Sequence, residues 1–116
     1  MRRTVLQFLD DILEAIDNIE EDTGGISFED FSADRRRRDA VIRNFQVIGE
    51  AIKNLPPELR GLYPDTDWKN IAGFRDVLSH VYFGIKLTIL WDNATNELPT
   101  LKKEIRHILK HEESRK

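Results

Sequence analysis

Apolar residues recur at intervals of three and four along most of the chain. Val5, Phe8, Leu9, Ile12, Ile16 and Ile19 predict an amphipathic helix over about residues 3–21. Its other face carries Asp10, Asp11, Glu14, Asp17 and Glu20, which read as a solvated surface. Gly24-Gly25 stops that helix. Residues 27–34 hold Phe28 and Phe31 among acids and serines, and Ser27 with Asp30 fits a capping box loosely. That stretch is either one short helical turn or the start of a bent second helix. Val41, Phe45, Ile48, Ile52 and Leu55, with Ile42 and Gly49 beside them, predict a second long helix over about residues 35–54. Gly49 costs up to ~1 kcal/mol against alanine there and suggests close helix–helix approach.

Pro56-Pro57 ends this helix, and residues 56–67, with Gly61, Tyr63 and Pro64, read as a loop that packs or binds. Asp67 is a fitting N-cap for a third helix, which starts at Trp68 and runs to about Ser79 through Ile71, Phe74 and Leu78. A turn at residues 80–84 follows. Leu87, Leu90, Trp91, Ala94 and Leu98 give a fourth helix over about residues 86–97. Pro99 separates it from a shorter fifth, with Leu101, Ile105, Ile108 and Leu109. His107, His111 and the tail from Glu112 read as solvent-facing, the tail as frayed from about residue 111. No β-type alternation and no internal repeat occurs. The pattern is that of an all-α bundle, four long helices and a shorter fifth, in a single domain.

Composition narrows the function classes. Of 116 residues, 40% are hydrophobic, enough for a modest core of the kind a partner subunit often stabilises. No apolar run approaches ~18 residues, so no membrane span is expected. Arg2 and Arg3 precede an amphipathic, acidic stretch and not a signal-peptide core. The absence of cysteine excludes disulfides and fits a reducing cytoplasm. A net charge of −3 argues against non-specific nucleic-acid coating, yet leaves room for a small RNA site with concentrated cations. Arg35 to Arg38 would spread around a helix, some pairing with Glu29, Asp30, Asp34 or Asp39 and one facing a cleft or partner. His107 and His111 are four apart and could form half a metal site, but no acidic third ligand is evident.

The chemically dense stretch is Arg75-Asp76-Val77-Leu78-Ser79-His80-Val81-Tyr82. Arg75 is a permanent cation that forks onto phosphate. His80 belongs to the residue type that moves protons at neutral pH. On one continuous helix the two would point roughly 140° apart, so they converge only if the helix ends near Ser79 or His80. Gly84 makes that turn plausible. Such a pair can cleave RNA without a metal. The base takes the ribose 2′-OH proton, and the cation stabilises the charged phosphorane. Asp76, four residues before His80, can orient its ring, or else pairs at the surface with Lys69 or Arg75. Phe83 and Trp91 read as core aromatics, and Tyr82 as lining the site.

Arg75-x4-His80-x-Tyr82, with polar Asp76 after the arginine, resembles the signature of HEPN-domain ribonucleases. The block from Asp67-Trp68-Lys69-Asn70-Ile71-Ala72-Gly73-Phe74 through Gly84-Ile85, then Leu90-Trp91 and Leu98-Pro99, resembles the HepT (DUF86) family, the toxin halves of HepT/MntA toxin–antitoxin pairs. The resemblance covers nearly the whole chain, including Arg43 to Leu55. It implies a HEPN-type bundle, a homodimer whose two motifs line one positive cleft, and a metal-independent endoribonuclease that needs no cofactor. In that reading Arg75 and His80 are catalytic. It implies an MntA-like nucleotidyltransferase antitoxin that transfers AMP to the motif tyrosine, the position of Tyr82. A different class remains open: a non-catalytic HEPN module that binds a nucleotide or partners a nucleotidyltransferase, with the polar trio as its pocket. Catalysis requires Arg75 and His80 in one cleft; a binding module requires only the pocket.

Overall fold

The computed structural model describes residues 2–71 and 87–115. The described residues are all-α, with no strand among them. Among them, α1 (Arg2–Thr23) and α3 (Arg35–Asn54) form the most extensive helix pair. Leu9, Ile12, Ile16 and Ile19 of α1 face Val41, Phe45, Ile48 and Ile52 of α3 in one buried core. This is the stripe expected from the spacing. Removing a buried Ile or Leu side chain from such a core costs about 2–5 kcal/mol. α1 ends where Thr23 turns its hydroxyl back onto the Ile19 carbonyl at 2.8 Å. Gly25 then takes φ 78°, a left-handed conformation that favours glycine.

The short stretch after the glycines is a separate helix, α2 (Phe28–Ala33). The Ser27 hydroxyl accepts from the Asp30 backbone N–H at 3.0 Å, so Ser27 is the N-cap, the serine half of the expected capping box. Asp34 makes the corner. Its extended backbone ends α2, and its carboxylate accepts from the Arg37 backbone N–H at 3.2 Å to start α3. Phe31 is fully buried, and its ring lies 5.1 Å from that of Trp91. Phe28 meets the same indole edge-on at 6.0 Å. Trp91 is thereby a packing residue, as read.

Two expectations are corrected. The Pro56–Asp67 stretch is not simply a loop, because it contains α4 (Pro57–Leu62). Pro57 occupies the first helical position, where a missing N–H costs nothing and the fixed φ favours a helix start. Trp68 then closes α4 from outside: its indole N–H donates to the carbonyls of Tyr63, at 3.0 Å, and Arg60, at 3.2 Å. Each of these carbonyls also accepts a backbone N–H, from Thr66 and Tyr63 respectively, so the indole meets their remaining acceptor capacity.

Nor does Pro99 break the chain between two helices. α5 (Leu87–Asp92) continues through a π-helical turn (Asn93–Glu97) directly into α6 (Leu98–Ser114). The Leu98 N–H bonds the Asn93 carbonyl, five residues back. The wider turn makes room for a ring that would strike the residue-95 carbonyl in a regular α-helix. Asn93 and Thr95 side chains donate to the carbonyls of Ile89 and Trp91, at 2.9 and 2.8 Å.

α6 lies against α1 through Leu98, Leu101, Ile105 and Ile108. Lys102 reaches across to Glu20 at 2.6 Å and Asp17 at 3.1 Å. The acidic face of α1 is thus not wholly solvated, since two of its five carboxylates hold α6. Those hydrogen bonds, Glu20 first and then Asp17, raise the Lys102 pKa above 10.5.

Candidate functional site

Arg75, Asp76, His80 and Tyr82 lie outside the described residues, as does the expected turn at residues 80–84. The chain leading into them is well defined. The Asp67 carboxylate accepts from the Asn70 backbone N–H at 3.2 Å, so Asp67 is the predicted N-cap. Residues 68–71 make the first turn of the third predicted helix, and the Ile71 N–H bonds the Asp67 carbonyl at 3.1 Å. Trp68, 8% exposed, roots this turn in the core. Beyond the motif, Leu90 of α5 is buried and joins the same core.

Beside the entry to the motif runs a cleft of about 430 Å³. Phe45 and Ile48 of α3 and Leu98 and Leu101 of α6 supply its apolar wall. Asp65, Asp67, Asp92, Glu97 and Glu104 supply carboxylates. Among the described residues, the charged groups that line it are all acidic.

Among the described residues, arginines concentrate at the start of α3. Two arginines of the Arg35–Arg38 run are structural. Arg37 pairs with Asp34 at 3.0 Å and donates to the Asp22 carbonyl at the end of α1, while Arg38 donates to the Ser32 carbonyl of α2. Both thereby tie the start of α3 to the helices before it. Arg35, Arg36 and Arg43 are exposed on α3 and have no ion-pair partner among the described residues. Arg36 and Arg43 are seven apart and share a helix face.

A second polar cluster escaped the sequence reading. Tyr63 donates its hydroxyl proton to Glu112 at 2.6 Å and lies 2.6 Å from Nδ1 of His111. Glu112 is 3% exposed and also accepts from Arg115 at 3.1 Å. The tail expected to face solvent and fray is therefore helical to Ser114, with Glu112 buried. Partners 48 and 49 residues apart leave no signal in local spacing. No group of three or more His, Asp or Glu side chains among the described residues is arranged to hold a metal.

Residues 12–108 match the model of a family described as "Ribonuclease HepT-like". The chain belongs to the HepT-like ribonuclease family. The matched span includes the whole Arg75–Tyr82 motif in sequence. A Thermococcus cleftensis protein named as a probable ribonuclease HepT is 42% identical to this HepT-like chain, across 95% of it and 100% of the relative. A Methanocaldococcus jannaschii protein provisionally named an RNase is 44% identical over 94% of the chain and 90% of its own length. A Caldanaerobacter subterraneus protein, also provisionally named an RNase, is 42% identical over 95% and 98%. No solved structure matches the HepT-like chain significantly. No helix among the described residues is long and apolar enough to cross a membrane.

Proposed function

We propose that this chain is the toxin of a cytoplasmic toxin–antitoxin pair and cleaves RNA internally without a bound metal. The family match across residues 12–108 carries the reading, because it spans the one stretch whose residue types suit that chemistry. Arg75 binds the scissile phosphate and offsets the charge that builds on it as the 2′-OH attacks. His80 moves a proton at the 2′-OH or at the leaving oxygen. The ribose supplies the nucleophile, so the bond formed is 2′-O to phosphorus and the bond broken is phosphorus to 5′-O. Asp76 orients His80. Two copies of the chain bring their motifs to one shared groove, which concentrates cations that an acidic chain otherwise lacks.

The partner is an MntA-like nucleotidyltransferase, which silences the toxin by attaching AMP to Tyr82.

The test is cleavage of RNA by the purified chain in excess EDTA. Full activity and products ending in 2′,3′-cyclic phosphate are expected. A requirement for magnesium, or 3′-hydroxyl ends, contradicts the mechanism.

A further inference from the structure

The Tyr63–His111–Glu112 cluster borders a hollow of about 570 Å³ between the Tyr63–Thr66 segment and α6. His107 and His111 both line it, one helical turn apart. Their rings are nearly parallel, 16° between planes, with centroids 6.5 Å apart. Glu104, Asp65 and Lys103 line the same hollow, Glu104 accepting from the buried Thr66 hydroxyl at 3.3 Å.

The hydrogen bonds around Tyr63 favour one tautomer of His111. A phenol has one proton, and an ionised carboxylate only accepts. Glu112 faces the Arg115 guanidinium at 3.1 Å and takes the Tyr63 proton at 2.6 Å. With the phenol proton donated to Glu112, the Tyr63 oxygen is matched by the His111 tautomer that carries its hydrogen on Nδ1. The lone pair is left on Nε2. Metal-ligating imidazoles commonly donate their other ring N–H to a fixed oxygen, which holds the ring and its tautomer, and the Tyr63 hydroxyl, itself held by Glu112, is placed as such an oxygen. His107 is exposed and has no hydrogen-bond partner among the described residues, so its ring can turn toward the same point.

We propose that His107 and His111 form a two-histidine clamp for a zinc-class divalent ion. Tyr63 and Glu112 set the tautomer of His111, and water completes the coordination shell. Imidazole nitrogens bind Zn²⁺ at about 2.0–2.1 Å, and two of them one helical turn apart can share an ion. The described residues hold no ready three-ligand cage, so the site binds as a clamp and not as a structural centre. It is distinct in sequence from Arg75–Tyr82 and takes no part in the proposed cleavage. Both ligands lie on α6, and only the helical form holds them one turn apart, so an ion held here stabilises the folded state by linkage.

Zinc chloride titrated by calorimetry into the tag-free full chain tests this. One site per chain in the micromolar range is expected, with a melting temperature that rises with zinc. His107→Ala and His111→Ala should each weaken binding more than tenfold. Tyr63→Phe should weaken it about 10- to 100-fold with both ligands still present. His80→Ala should bind as the parent does. Melting without zinc is read for every variant, and exposed His107 is the position where lost binding cannot be ascribed to lost fold. Unchanged affinity in His107→Ala, or binding that disappears in His80→Ala instead, overturns the site. Unchanged affinity in Tyr63→Phe overturns the tautomer relay.

Discussion

Tyr82 stands two residues past His80, and its phenol is the only hydroxyl in the motif apart from Ser79. In the proposed control step the phenol oxygen attacks the α-phosphorus of ATP and pyrophosphate leaves. The AMP so attached places an anion where Arg75 would otherwise meet RNA. Co-expression with the cognate nucleotidyltransferase should therefore add one AMP per chain at Tyr82 and suppress cleavage. Tyr82→Phe should fold normally and escape the silencing. Peptide mass spectrometry separates this from plain occlusion: unmodified Tyr82 in a fully inhibited complex removes the covalent route. At this scale the sequence is uneven to read. Residue types near one another, such as Asp67 with Asn70 or Ser27 with Asp30, declare their bonds through spacing. The Arg35–Arg38 run does not, because its members differ only in the direction each leaves the helix. Arg37 and Arg38 turn back onto preceding carbonyls, while Arg35 and Arg36 stay exposed.

Among the elements, the two long helices were legible because burial repeats with the helical period, and α3 spans the residues its pattern predicted. Proline misled twice. A proline can end a helix, begin one, or be carried through by a wider turn, and the sequence around Pro57 and Pro99 does not say which. The contact of α6 with α1 through Lys102 was also unreadable, since its partners are 82 and 85 residues away in a face that otherwise looks solvated. That contact has a pH signature. The folded-state pKa of Lys102 is raised above the 10.5 of a free lysine, so its stabilisation is complete below that value. It is lost as pH rises through the higher folded pKa. Urea melts of the parent should weaken at alkaline pH above about 10.5 more than those of Lys102→Met, which lacks the titrating group. Parallel alkaline limbs for the two proteins would show that the bridge does not act.

For the molecule as a whole, the all-α class followed from the absence of any alternating segment. The resemblance of the Asp67–Leu98 block led to the family that the comparison then identified. The geometry of the motif residues stands outside the described part of the chain, so Arg75, His80 and Tyr82 keep the roles proposed for them on chemistry and family. The proposed shared groove requires two chains. Light scattering should give twice the 13.6 kDa chain mass at micromolar concentration. A monomer there would leave each motif without its counterpart and count against the groove.

In the proposed mechanism His80 and Arg75 cleave RNA together. The most direct measurement of this is the cleavage rate of His80→Ala and Arg75→Ala, each checked for a parental circular-dichroism spectrum and melting temperature. Either substitution should lower the rate at least about 100-fold, the low end of what general acid–base or charge-stabilising groups contribute, and should relieve growth inhibition in cells. Parental cleavage by a folded His80→Ala protein would contradict the account.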